Sequence, residues 1–222
     1  MNIVTRKLIA KELYLHRWFI LATAVAVVAS AVAATFGRTA FNVAAITWLT
    51  TVIAFGVMLC IYGISNERKE NSLHFVLSLP ISPADYVRAK LFGLLLTYLV
   101  TWLIATGAAL ALVGLSEEVP DGMYPYVILL CVFLLANFTL VMCGTMFART
   151  EAVIGAVIIL TNMMVSFFMV AVSGRAGIQD HMRDAVPAWN NDFFNVLIIE
   201  LIVLVIAVAF PLATAARRRD FL

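Results

Sequence analysis

Six apolar runs, each about the length of a bilayer-crossing helix, dominate this chain; they fall at about residues 18–36, 43–64, 91–113, 126–147, 152–173 and 194–213. A membrane's hydrocarbon core is spanned by roughly 20 apolar residues in a helix. Inside that core no water serves the backbone, so a run of this kind closes its own hydrogen bonds as a helix. The expected fold class is an all-α integral membrane protein with six transmembrane helices. Composition points the same way. Of 222 residues, 64% are hydrophobic and 13% charged, and the mean hydropathy is +1.01, whereas a soluble domain carries about 25% charged residues.

Residues 1–17 precede the first run and contain Arg6, Lys7, Lys11, His16 and Arg17 among Ile3, Val4, Leu8, Ile9, Leu13 and Leu15. This mixture predicts a basic amphipathic helix lying in the membrane interface. A basic start, an apolar core and Ala31-Val32-Ala33 also resemble a cleavable signal peptide, but the apolar run is long for that role. Within the first span Ala22, Ala26, Ser30 and Ala34 recur every fourth residue. Such a small-residue stripe suits close approach of another helix, although alanine is also simply frequent here.

The basic residues set the orientation. With the N-terminus inside, Arg6, Lys7, Lys11, Arg17, Arg68, Lys69, Arg88, Lys90, Arg149, Arg217, Arg218 and Arg219 are cytoplasmic, and Arg38, Arg175 and Arg183 lie outside. This bias predicts that both termini and the segment 65–90 face the cytoplasm. The net charge of +2 is too small to suggest a nucleic-acid partner.

The segment 65–90 is the longest polar interruption. Leu73, Val76 and Leu77 recur at helical spacing, and Glu67, Asn71, His74 and Ser78 form a polar stripe on the same helix. The reading is a short amphipathic helix with one wet edge. Leu79-Pro80 ends it. Ser82-Pro83-Ala84-Asp85 then supplies an N-cap, a first-turn proline and an acid three residues on, so a new helix is expected to begin here and run past Lys90. An ordinary cytoplasmic loop accounts for the charges equally well.

Motifs for chemistry are missing. The sequence has no G-x-x-x-x-G-K-[ST] loop for nucleotide phosphates, and His16, His74 and His181 fall in no H-E-x-x-H motif. Cys60, Cys131 and Cys143 have neither a disulfide framework nor zinc spacing. No catalytic site, cofactor site or metal site is expected in the chain, and it does not read as an enzyme. Glu200 is the one acid within a span. An intramembrane carboxylate is a functional candidate by default, yet it is about 8 Å from the outer end of the sixth run at 1.5 Å per residue, close enough to reach the interface or bond a neighbouring helix. Asn137 and Asn162 lie near the middles of the fourth and fifth spans, where cross-helix hydrogen bonding competes with lining a wet pathway. Asn137-Phe138-Thr139 matches a glycosylation sequon but falls inside a span. Met163, Met164, Phe167, Phe168 and Met169 would suit an adaptable surface for amphipathic cargo or face lipid.

Glu67, Glu70, Ser72, Leu73, Leu77, Ser78, Leu79, Pro80, Ile81, Ser82, Ala89, Lys90 and Leu91 together resemble the pattern that follows the second span in permease subunits of ABC-2 type ABC transporters. The basic N-terminus, six spans and the larger loop 174–192 before the last span are similar to the same family's layout. The resemblance covers essentially the whole chain as one permease domain. It implies that 67–79 is a cytoplasmic coupling helix docking on a separate ABC ATPase subunit, with Glu67, Glu70, Asn71, His74, Ser78, Leu79 and Pro80 in the contact. It implies further that ATP and Mg are held by that partner, and that a second permease chain, identical or related, completes the transporter. The first, second and fifth spans would border the pathway, making Asn162, Met163 and Phe167 candidate lining residues, and the loop 174–192, with Pro187-Ala188-Trp189, would form outer re-entrant or interfacial helices. The implied function is an ATP-driven exporter of an amphipathic peptide, drug or lipid-like cargo in a bacterial or archaeal plasma membrane. A transporter or channel driven without ATP, and a membrane scaffold or assembly factor, are the competing classes.

Overall fold

The computed structural model describes residues 3–66, 83–116, 119–148 and 150–215. Regular structure among them is helical: α1 (Ile3–Leu15), α2 (Arg17–Ala33), α3 (Arg38–Cys60), α4 (Pro83–Leu115), α5 (Tyr124–Phe147), α6 (Glu151–Ser173), the short α7 (Ala176–Gln179) and α8 (Asn191–Ala215). The stretches Arg17–Phe36, Arg38–Ser65, Asp85–Leu115, Asp121–Phe147, Glu151–Ser173 and Asn191–Thr214 make six helices long and apolar enough to cross a membrane. The six-span, all-α expectation is borne out.

Helix ends follow local chemistry. Only His16, at φ −95° and ψ 7°, separates α1 from α2. Gly37 closes the reversal between α2 and α3 at φ +105°, a backbone region that glycine enters without a Cβ penalty. The α3 helix starts at Arg38, earlier than the apolar run suggests, because polar residues extend its first turn, and it ends in a π-helical segment Ile61–Ser65. Thr150 caps α6, its Oγ1 accepting from the Val153 N–H at 3.4 Å, with Glu151 favourably placed in the first turn.

The α4 helix begins at Pro83, as the Ser82-Pro83 signal predicts, and continues without a break for 33 residues. At 1.5 Å per residue it is about 50 Å long, against a hydrocarbon core of about 30 Å. Its first turns therefore have length to spare beyond the bilayer.

The core is organised on α5, the most enclosed of the spans. Apolar side chains gain little from leaving lipid, so packing contacts and interhelical hydrogen bonds must hold the bundle. Tyr98 of α4 stacks on Phe138 of α5 with ring centroids 3.9 Å apart, and Phe55 of α3 follows at 6.2 Å from Tyr98. The polar ends of these aromatic side chains reach backbone carbonyls: Tyr98 Oη donates to Leu134 O (3.3 Å), Trp102 Nε1 to Cys131 O (2.7 Å) and Trp48 Nε1 to Ala105 O (3.2 Å). Phe133 stacks on Phe168 of α6 at 4.0 Å. Leu129 clusters with Phe193 near one end of α5 and α8, and Phe147 meets Phe210 at 5.0 Å towards the other, so these two helices run parallel.

The loop between α6 and α8 folds onto the start of α5. Gly122 donates its N–H to Asp184 O at 2.9 Å, Asp192 Oδ2 accepts from Gly177 N at 3.1 Å, and Ile178 joins the Leu129 and Phe193 cluster. Its regular helix is the single turn Ala176–Gln179, shorter than the re-entrant elements the family resemblance implies.

Candidate functional site

The expected coupling residues Glu67, Glu70, Asn71, His74, Ser78, Leu79 and Pro80 lie outside the described residues. Their flanks are described. The chain leaves α3 through the π-helical segment, whose Tyr62 stacks on Phe19 of α2 at 5.9 Å, and re-enters at Pro83. Asp85 and Arg88 in the first turns of α4 form an exposed ion pair at 3.5 Å, a type of contact worth little.

One turn further along α4, Lys90 Nζ donates to Glu12 Oε1 of α1 at 2.8 Å. Both residues are buried, as is His16, whose Nδ1 donates to the Glu12 carbonyl oxygen at 2.9 Å. The helices approach closely because Gly93 has no side chain; a Cβ there would lie 2.8 Å from Glu12 Cγ. Ile9 and Glu12 of α1 and His16 just after it, at i, i+3 and i+7, form one buried line, while Arg6, Lys7, Lys11 and Arg17 are exposed. Arg17 lies over the rings of Tyr14 (4.1 Å) and Trp18 (5.5 Å), both exposed. This is the arrangement of a basic and aromatic collar at a membrane surface. The sequence reading missed the Glu12–Lys90 pair; its one trace was Glu12 as the lone acid among the basic residues of the first 17.

The small-residue stripe does not share one face. Ala22 is exposed, Ala26 half-buried, and Ser30 and Ala34 buried. Steps of four advance 400° around a helix of 3.6 residues per turn, so Ala34 sits about 120° from Ala22. The buried line of α2 is Thr23, Val27, Ser30 and Ala34.

At the end of the bundle away from α1, the spans part around an apolar cleft of about 260 Å³. Ser30 and Ala34 of α2, Trp48 and Leu49 of α3, Ala109 of α4, Val127 and Leu130 of α5 and Met169 of α6 contribute to its walls. Helices of the first, second and fifth spans thus meet at one cavity, together with α4 and α5. Of the three candidate pathway residues, Asn162 is half-buried and donates to Ile158 O of its own helix at 2.8 Å. Met163 and Phe167 point away from the bundle, Phe167 being 69% exposed.

Glu200 is deeper than its position in the apolar run suggests, because α8 starts at Asn191. Nine residues at 1.5 Å place it about 13 Å along the helix. It is 4% exposed, and among the described residues neither carboxyl oxygen has a hydrogen-bond partner.

No curated protein and no solved structure was matched by the chain. Residues 7–214 match a family model described as ABC-2 family transporter protein, an interval that includes all six spans and the segment between α3 and α4.

Proposed function

The chain belongs to the ABC-2 family of transporter membrane proteins, and from this membership we propose that it is the permease subunit of an ATP-driven exporter working with a separate ABC ATPase. The carrying observation is the reach of the family match over residues 7–214. It extends from α1, which carries Glu12, to the last membrane span.

In this reading the N-terminus, the 65–90 segment and the C-terminus are cytoplasmic, as the basic residues favour. Residues 67–79 form the coupling helix, and ATP with Mg binds only the partner. Closure of the ATPase dimer pushes on that helix. The push enters α4 at Pro83, and α4 is long enough to pass it from beyond the bilayer into the core. Because Glu12 is bound to Lys90, α1 moves with the start of α4. A second permease chain, the same or related, completes the pathway in a prokaryotic plasma membrane.

The apolar cleft favours an amphipathic or lipid-like cargo over an ion, which needs oxygen ligands or charged rings along its way. The reading is tested with the purified chain and its proposed ABC ATPase partner. The chain alone hydrolyses no ATP; the pair co-purifies and does. Replacement of Glu67, His74 and Ser78 by alanine keeps the fold but uncouples hydrolysis from transport. Normal transport by that triple variant would remove the docking assignment.

A further inference from the structure

We propose that the seam between α3 and α5 is a binding groove for a single-chain amphiphile carrying a hydrogen-bond donor, its chain in the cleft and its donor on Asn137. The inference builds on the proposed cargo class. Its test reads binding without transport, so either can fail while the other stands.

The cleft of about 260 Å³ is bordered on this seam by Leu49 of α3 and Leu130 of α5. One helical turn towards the middle of the bundle, Ile53 and Leu134 border a second void, of about 10 Å³, together with Gly56 and Asn137. A turn rises only about 5.4 Å, so the two spaces follow one another along the same pair of helices.

Their chemistry differs. At the cleft, Ser30 Oγ donates to Ala26 O at 2.8 Å and Trp48 Nε1 to Ala105 O at 3.2 Å, so neither is free for a guest. A dry apolar cavity of this kind accepts hydrocarbon guests. The inner void borders Asn137, which is 5% exposed and whose Oδ1 has no hydrogen-bond partner among the described residues. A buried acceptor without a donor is costly, and lipid supplies no water to relieve it.

Size limits the guest. The inner void has room for about one water or one hydroxyl. Gly56 keeps that room open on the α3 side, since a Cβ there would lie 3.1 Å from the rings of Phe138 and Tyr98. A guest that fits both spaces is one chain wide, apolar along its length, and ends in a hydroxyl or amide N–H. Its chain then points to the end of the bundle opposite α1.

The test uses the full chain in phosphatidylcholine nanodiscs with two photoactivatable probes, a long-chain diazirine alcohol and its methyl ether. The alcohol is expected to label the α3 and α5 peptides that contain Leu49 and Leu130 about three- to tenfold more than the ether, the effect of one intramembrane hydrogen bond. Asn137→Leu is expected to erase that preference. Ala45→Phe, which adds bulk at an exposed position of the cleft wall and so leaves the fold intact, is expected to lower labelling by both probes. Equal labelling by alcohol and ether would overturn the proposal, as would label spread over the exposed faces of α2 and α6. Ready cross-linking of Ala45→Cys chains to one another with loss of label would also overturn it, by giving the groove to a protein neighbour.

Discussion

Lys90 of α4 and Glu12 of α1 form a buried ion pair, 2.8 Å between Nζ and Oε1, across 78 positions of sequence. It joins the N-terminal helix to the first turns of α4. Burial raises the cost of breaking it. Removing one partner strands a charge, so Lys90→Met or Glu12→Leu is expected to cost about 3–5 kcal/mol. The double variant removes both charges of the pair and is expected to cost less than the two single losses together. Thermal unfolding of the four proteins in one detergent measures this as a double-mutant cycle; a loss in the double variant equal to the sum of the two single losses would show that the pair does not act as a unit.

Gly93 permits the contact that pair requires. A methyl group there meets Glu12 Cγ at 2.8 Å, and Glu12 is held by its bond to Lys90, so the side chain has little freedom to yield. Gly93→Ala is expected to destabilise by about 1–3 kcal/mol, the range for overpacking a close contact. Limited proteolysis after Arg6 or Lys7 should accelerate as α1 loosens from α4. An unchanged melting curve and cleavage rate would mean that α1 is held elsewhere.

Much of this architecture is legible in the sequence because membrane-spanning helices are selected by length and apolarity alone, and the fourth and fifth runs coincide with α5 and α6 within about two residues. The Ser82-Pro83 restart was legible for a different reason, since proline suits a first helical turn and little else nearby. Helix packing was not legible. In a chain where nearly every span is Ala, Val, Ile and Leu, periodicity does not separate lipid-facing from protein-facing sides, and the stripe at Ala22, Ala26, Ser30 and Ala34 slides round its helix as a result. The depth of Glu200 was misjudged because α8 begins with the polar Asn191 and Asp192, outside the apolar run. Asn137 stood out as a polar residue in a span, but the space in front of it depends on Gly56, 81 positions earlier, and on the rings of Tyr98 and Phe138 behind it.

The stack of Tyr98 on Phe138 at 3.9 Å ties α4 to the central helix, with Phe55 of α3 beyond. Dispersion contacts are lost when a ring is deleted whether the surroundings are water or lipid. Phe138→Ala is therefore expected to cost about 3–5 kcal/mol. Tyr98→Phe removes only the hydrogen bond to Leu134 O and is expected to cost about 0.6–2 kcal/mol. Thermal melts in nanodiscs distinguish the two; a loss for Tyr98→Phe equal to that for Phe138→Ala would move the weight of this contact from the ring to the hydroxyl.

Glu200 is buried, and among the described residues neither of its carboxyl oxygens has a hydrogen-bond partner. An amide in its place carries no charge to desolvate, so Glu200→Gln is expected to leave stability unchanged or raise it by about 1–3 kcal/mol. A loss of stability in the assembled transporter, together with a gain in the isolated chain, would identify a basic partner supplied by another subunit. A loss in the isolated chain would show a partner within it.

The central claim is that this membrane subunit is driven by ATP hydrolysed on another protein. It is tested most directly by transport of a fluorescent single-chain amphiphile in sealed vesicles, with the chain present alone, with the proposed ABC ATPase partner, and with an ATPase variant that binds but does not hydrolyse ATP. The account predicts sustained, ATP-dependent transport only with the active ATPase, persisting when the proton gradient is collapsed. Transport by the chain alone that follows the proton gradient and ignores ATP would contradict it.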